Sequence, residues 1–326
     1  MGGFAGPSGP LTAFPNGISS MGVPILSSGT LPYPGGTYFV NETTGSDGNS
    51  GSAEFPLASI ARALVLAAAA PQAGNVDQVI FLTGTCHTTA TITWATNRVH
   101  LIGLDAPSNN ARARISQSGS VVFSPLVNVT ANGCLFANIA TFHGFNSATT
   151  QICWEDSGGR NSYQGVLFAG MGDATAAAQA GSRSLLISGS GESTYYNCTF
   201  GLDTITRATA ANATLELAGG TARNVFKSCV FQALCTDASD THVLVQSGGM
   251  DRYALFDDCV FINCVDSTAT ALNAAISNAG GSPSGSIILN NCISVGATAI
   301  ATTGAVYITQ ISASGATTTY IGLHAT

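Results

Sequence analysis

The sequence predicts an all-β chain. It reads as a right-handed parallel β-helix, a solenoid of coils about 30 residues long, with an N-terminal capping helix and an extended N-terminal arm. Three observations carry this. Four segments share one pattern: Tyr195-Tyr196-Asn197-Cys198-Thr199-Phe200, Phe226-Lys227-Ser228-Cys229-Val230-Phe231, Phe256-Asp257-Asp258-Cys259-Val260-Phe261 and Leu289-Asn290-Asn291-Cys292-Ile293-Ser294. Their cysteines step by 31, 30 and 33 residues, and Val166-Leu167-Phe168 and Cys134-Leu135-Phe136 continue the series backwards. A period of this size marks a repeat architecture. Around each cysteine apolar and polar residues alternate, which is a strand period. Each copy also has an upstream apolar run and then a glycine turn, as in Leu215-Glu216-Leu217 before Gly219-Gly220 and Val243-Leu244-Val245 before Gly248-Gly249. A unit of strand, glycine turn, strand and variable loop cannot bury its own apolar side chains, whereas stacked coils can. Parallel crossovers are right-handed.

Residues 1–36 form the first piece. They hold hydrophobic clusters among Pro and Gly, with no period and no charge. They fit neither a signal peptide nor the myristoylation pattern, since position 6 is Gly6. Such a segment is either a disordered leader or an arm that orders on a partner or a neighbouring subunit. Phe14, Met21, Val23, Ile25 and Leu26 are the candidate partner-binding anchors, because disordered segments are poor in such residues.

Residues 37–75 open the folded body. Tyr38-Phe39-Val40 reads as a strand, and Gly45 to Gly51 as a turn-rich loop. Asp47, Asn49 and Glu54 could hold calcium, but they fall short of an EF-hand ligand set; an Asx-rich turn is the other reading. Apolar residues at Leu57, Ile60 and Leu64 predict a helix over Pro56–Leu66, capped near Ser59 or Ser52 and ended by Pro71. It is about half the length of a membrane span, and it would cover the open end of the solenoid. Residues 76–326 carry the coils, from the strong strand Val76–Leu82 to the final strands around Tyr307 and Tyr320.

Thr37-Tyr38-Phe39-Val40, Gly45-Ser46-Asp47-Gly48-Asn49-Ser50-Gly51 and Phe55-Pro56-Leu57-Ala58-Ser59-Ile60-Ala61-Arg62-Ala63-Leu64 together resemble the opening segment of pectate-lyase-like right-handed β-helix proteins, especially those of tailed-phage virions. Phe14 to Pro24 is similar to short leaders on phage particle proteins. The likeness covers about 60 residues plus the coil pattern. It implies a virion protein assembled in the host cytoplasm, and a homotrimer. Fold alone does not fix function.

Only 8% of residues are charged, against about 25% in ordinary domains. The net charge of −7 excludes a nucleic-acid binder, which needs a basic stripe. No segment suggests membrane insertion and none suggests a cofactor. The nine cysteines include no CxxC pair, so zinc is not expected. They read as a ladder of buried free thiols rather than disulfides, because parallel side chains on stacked coils point their Cβ vectors badly for a bridge.

Glycosidases need two carboxylates flanking the scissile bond, and lyases of this fold need a base, acidic metal ligands and an Arg or Lys. Glu155-Asp156 and Asp257-Asp258 are adjacent, so on a strand they would point to opposite faces. Asp237, Asp240 and His242 make the best acid/base cluster, with a solvated, Asp-capped turn as the plainer reading. Trp94 and Trp154 sit in apolar runs that read as core or subunit contact. No catalytic or metal-binding residue is therefore assigned, and no enzymatic activity is expected. The expected function is a structural phage virion protein, a capsid decoration or cement protein that binds a capsid or other virion protein through its arm. The alternative is a tailspike-like receptor-binding or glycan-degrading β-helix.

Overall fold

The computed structural model describes residues 19–20, 23–24, 35–71, 73–105, 113–208, 212–264, 270–278, 284–301 and 307–310. Its coils stack into three parallel sheets around one core, a β-solenoid as predicted. Each coil visits sheet 1, sheet 2 and sheet 3 in turn. Three successive coils show the pattern: Ser162–Gln164, Leu167–Ala169 and Arg183–Ile187; Thr194–Tyr196, Thr199–Phe200 and Ala213–Leu217; Thr221–Lys227, Val230–Cys235 and Thr241–Val245.

The two-strand unit read from the sequence is corrected to three strands. What reads as one cysteine-centred strand is two strands joined by a single left-handed residue. Asn197, Ser228, Asp258 and Asn291 occupy these corners at φ 52°, 53°, 53° and 50°. Asn and Asp visit that region more readily than most residues. The corner shifts the alternation by one. Phe226, Cys229 and Phe231 therefore all face inward and are buried, while Val230 faces outward and is half-buried.

Like then stacks on like through the interior. Tyr163, Tyr195, Phe226 and Phe256 are parallel, with ring centroids 4.6, 4.6 and 4.7 Å apart. Phe168, Phe200, Phe231 and Phe261 make a second column at 4.9, 4.6 and 5.0 Å. All nine cysteines are free thiols. The Sγ atoms of Cys229, Cys259 and Cys292 each lie 3.3–3.4 Å from a carbonyl of the preceding coil. Burial pushes the Cys134 and Cys153 thiols up to about 12, which suppresses the reactive thiolate.

The N-terminal end is closed by helix α1, Ile60–Ala69. It starts four residues later than the sequence suggests and stops before Pro71. Ser59 caps it, accepting from Arg62 N, and Asp47 latches the cap by accepting from Ala58 N, Ser59 N and Ser59 Oγ at 2.8–3.0 Å. Asp47 thus serves the helix cap through long-range bonds to Ala58 and Ser59 rather than through a local Asx turn. Ile60, Ala63 and Ala67 pack on Val40, Leu57 and Ile80. Among the described residues, Val40, Leu57, Ile60, Ala63, Ala67 and Ile80 form the core at this end. Among the described residues no helix is long and apolar enough to cross a bilayer.

Asp156 and His143 are two of the buried polar groups. Asp156 points into the lumen and accepts from Asn161, Ser193, Tyr163 and Tyr195, while its neighbour Glu155 faces out, as the alternation predicts. Burial pushes the Asp156 carboxyl up against those hydrogen bonds. His143 lies between the rings of Phe123 and Phe145, and its Nε2–H donates to Phe123 O at 2.9 Å. Burial depresses it from 6.5 to about 4. A base depressed by folding contributes stability that is full above pH 6.5 and lost as pH falls toward 4, here on the order of 3 kcal/mol. His143→Gln is expected to flatten the acid limb of the stability curve, followed by urea unfolding between pH 7 and pH 4. An unchanged acid slope would contradict this.

Candidate functional site

Outside the solenoid wall, beneath the loops that run from sheet 2 to sheet 3, lies a buried ionic chamber. Its floor is one ladder of the outer face of sheet 3. The strand registers set Cys153, Ser184, Thr214 and His242 side by side on successive coils. All four are buried. The loop after Phe200 adds Arg207, which pairs with Cys235 in register on the next coil. The roof includes the short helix α2, Ala174–Ala177, tied down by Ser182 Oγ and by Asn212 Nδ2, which donate to its carbonyls.

Arg207 organises the chamber. Its guanidinium donates to Thr214 Oγ1, Thr241 O and Cys235 Sγ at 3.0–3.3 Å, and its Nε lies 3.8 Å from Asp240 Oδ2. Both Asp240 oxygens, both His242 nitrogens, Arg207 Nε and Ser184 Oγ have no hydrogen-bond partner among the described residues. Burial pushes the Asp240 carboxyl up to about 6 against the pull of Arg207, and holds His242 down to about 3. A second pair, Arg183 with Glu216, lies alongside. Arg207 also lies against Gly170, Met171, Gly201, Leu202, Ile205 and Gln232, a surface with no room for a bound water. An acid poised near neutrality beside a cation can hold or move a proton.

The sequence reading gathered Asp237, Asp240 and His242. The structure buries Asp240 and His242 near Arg207 without a hydrogen bond between them, and leaves Asp237 as a turn cap that accepts from Ser239 N at 2.8 Å. Arg207 was missed, because a lone Arg in a Gly/Thr/Ala loop carries no pattern. Trp94 and Trp154 are core residues. Among the described residues no three His, Cys, Asp or Glu side chains come together as metal ligands would. Of the anchors, Phe14, Met21, Ile25 and Leu26 lie outside the described residues, and Val23 sits in a two-residue strand, Val23–Pro24, antiparallel to Ser19–Ser20.

A second feature runs along the outer face of sheet 1, beside the left-handed corners. Register stacks Gln164, Tyr196, Lys227, Asp257 and Asn290 on five successive strands, about 4.8 Å apart. Tyr196 is 51% exposed. Lys227 Nζ lies 3.0 Å from Asp257 Oδ2, and Asn290 Nδ2 donates to Asp257 Oδ1 at 2.6 Å. At the adjoining corners Asn291 donates to Asp258 at 2.6 Å. Asp257 and Asp258 do not point to opposite faces, because the corner at Asp258 turns both outward. The strip offers an aromatic face, amides and a neutral ion pair in one straight row.

A solved structure named rhamnogalacturonan lyase has a similar fold. It shares 12% identity with this chain, which it matches over 80% of this chain and 68% of its own, with a TM-score of 0.52. A GH136 lacto-N-biosidase from Eubacterium ramulus aligns at 10% identity over 84% of this chain and 68% of its own, with a TM-score of 0.32. No family model matches the chain, and no curated protein matches it. The fold that the two proteins share is a parallel β-solenoid.

The expectation of no enzymatic activity is corrected here. A protein named as a lyase is built on the same scaffold, so the lack of adjacent, usable carboxylates in the sequence does not argue against catalysis. The physical reason is that the charged groups assemble across coils, as Arg207 and Asp240 do, and adjacency along the chain says nothing about them.

Proposed function

We propose that the protein is a virion surface protein whose solenoid engages a glycan and whose leader, residues 1–36, docks it on the capsid or another virion protein. The observation that carries the glycan half is the strip of Gln164, Tyr196, Lys227, Asp257 and Asn290 on sheet 1. A sugar ring presents an apolar face that packs on an exposed aromatic ring, as Tyr and Trp do at other half-wet interfaces. Its hydroxyls meet the amides and the ion pair above and below. Because the row repeats with every coil, it suits a linear chain of sugars lying along the solenoid axis. The lyase neighbour supports the reading at the level of the scaffold. The docking half is supported by the resemblance of the opening segment to phage particle proteins.

Tyr196→Ala is expected to weaken binding of the host surface polysaccharide roughly tenfold, since one stacked ring contributes on the order of 1 kcal/mol or slightly more. Titration calorimetry against purified polysaccharide checks it, with circular dichroism to show an unchanged fold. Equal affinity of the two proteins would remove the strip from the site.

A further inference from the structure

The outer face of sheet 2 differs from the other two faces. Across its last five strands the outward residues carry no charge. Leu167, Val230, Val260 and Ile293 form one row, with Thr199 among them. Ile262 and Val295 continue the next row beyond Gln232. Ile293 is 58% exposed and Val295 50% exposed. The neighbouring faces are charged, with Lys227 and Asp257 on sheet 1 and Glu155 and Glu216 on sheet 3.

We propose that copies of this chain meet on the outer face of sheet 2. Three features select a second copy as the occupant. The face is uncharged, so a charged partner would bury its own groups unpaired, whereas another sheet 2 brings none. The branched side chains repeat at the strand spacing of about 4.8 Å, so an identical ladder offers matching ridges and grooves. The size also fits. Six outward apolar side chains, Leu167, Val230, Val260, Ile262, Ile293 and Val295, make the centre of a patch for which a stable interface uses about 20–30 residues per partner, and the corner residues Asn197 and Asn291 are placed to supply its polar rim. A glycan is a poor occupant, since this face offers no aromatic platform and one amide, Gln232. The proposal does not depend on the glycan reading.

Light scattering on the full chain at micromolar concentration tests it. The wild-type protein is expected at two or more times the 32.9 kDa of one chain. Combining Val260→Glu with Ile293→Glu is expected to bring the mass to that of one chain, with an unchanged circular dichroism spectrum. Should the charged pair disturb folding, Val260→Thr with Val295→Thr keeps shape and only exchanges a methyl for a hydroxyl at each site, and it is expected to raise the dissociation constant at least tenfold. A wild-type mass of one chain overturns the proposal. So does an assembly that both folded variants leave intact.

Discussion

Replacing Phe231 by Ala is expected to lower the unfolding free energy by about 3–5 kcal/mol, the usual cost of the cavity left by a core Phe. The ring is fully buried. It stacks on Phe200 and Phe261 at 4.6 and 5.0 Å and meets Phe226 and Phe256 edge-on at 5.9 and 5.8 Å. Both columns therefore lose contacts at once. In a solenoid each coil is stabilised mainly by its two neighbours, so the loss falls on the coils before and after as well. The next residue is the control. Val230 faces outward, and Val230→Ala is expected to cost less than about 1 kcal/mol. Denaturant unfolding of the two variants checks the inward and outward assignments set by the corner at Ser228. Similar costs for both would contradict that corner.

Removing Arg207 should be about as severe for a different reason. Arg207→Ala leaves Asp240 buried without its cation, and breaking a buried pair costs about 3–5 kcal/mol. The deficit should depend on pH. Asp240 already stands at about 6 in the presence of Arg207, and without that charge it rises further. An acid raised by folding contributes stability that is present below its unfolded value of 3.8 and lost as pH rises through the folded one. The variant is therefore expected to be weakest relative to wild type at pH 7 and to recover part of the loss at pH 5. Unfolding curves at the two pH values measure this. The same deficit at both would mean that Asp240 is not the group left unpaired.

The cysteine period made the solenoid legible, because identical side chains at one repeat have to stack. The buried ladder and the aromatic columns followed from that. The corners did not. Asn197, Ser228, Asp258 and Asn291 share a backbone conformation but not a residue type, and a single left-handed residue breaks the alternation on which a strand reading depends. The capping helix was legible from its spacing, but its start was set by Asp47, eleven residues ahead of Ala58, through a loop whose closure no local pattern encodes. The chamber was half legible. Asp240 and His242 lie close in sequence, whereas Arg207 reaches them only because its loop pairs with the next coil. Tyr196 entered the sequence reading only as one letter of a repeated segment. In the structure Tyr195 points in and Tyr196 points out, which alternation around Tyr195 could have revealed.

The division between a docking leader and a glycan-engaging solenoid is tested most directly by cosedimentation of the chain lacking residues 1–30 with purified particles. The core closes at its N-terminal end with Val40, Leu57, Ile60 and Ile80, so the truncated chain should keep its circular dichroism and melting temperature. Ordering an arm on binding consumes about 2–5 kcal/mol of the contact energy, so Phe14, Met21, Val23, Ile25 and Leu26 have to act together and their joint removal should abolish attachment. The account predicts a folded protein that no longer sediments with particles yet binds the polysaccharide with unchanged affinity. A truncated chain that sediments at full affinity, or one that no longer folds, would contradict it.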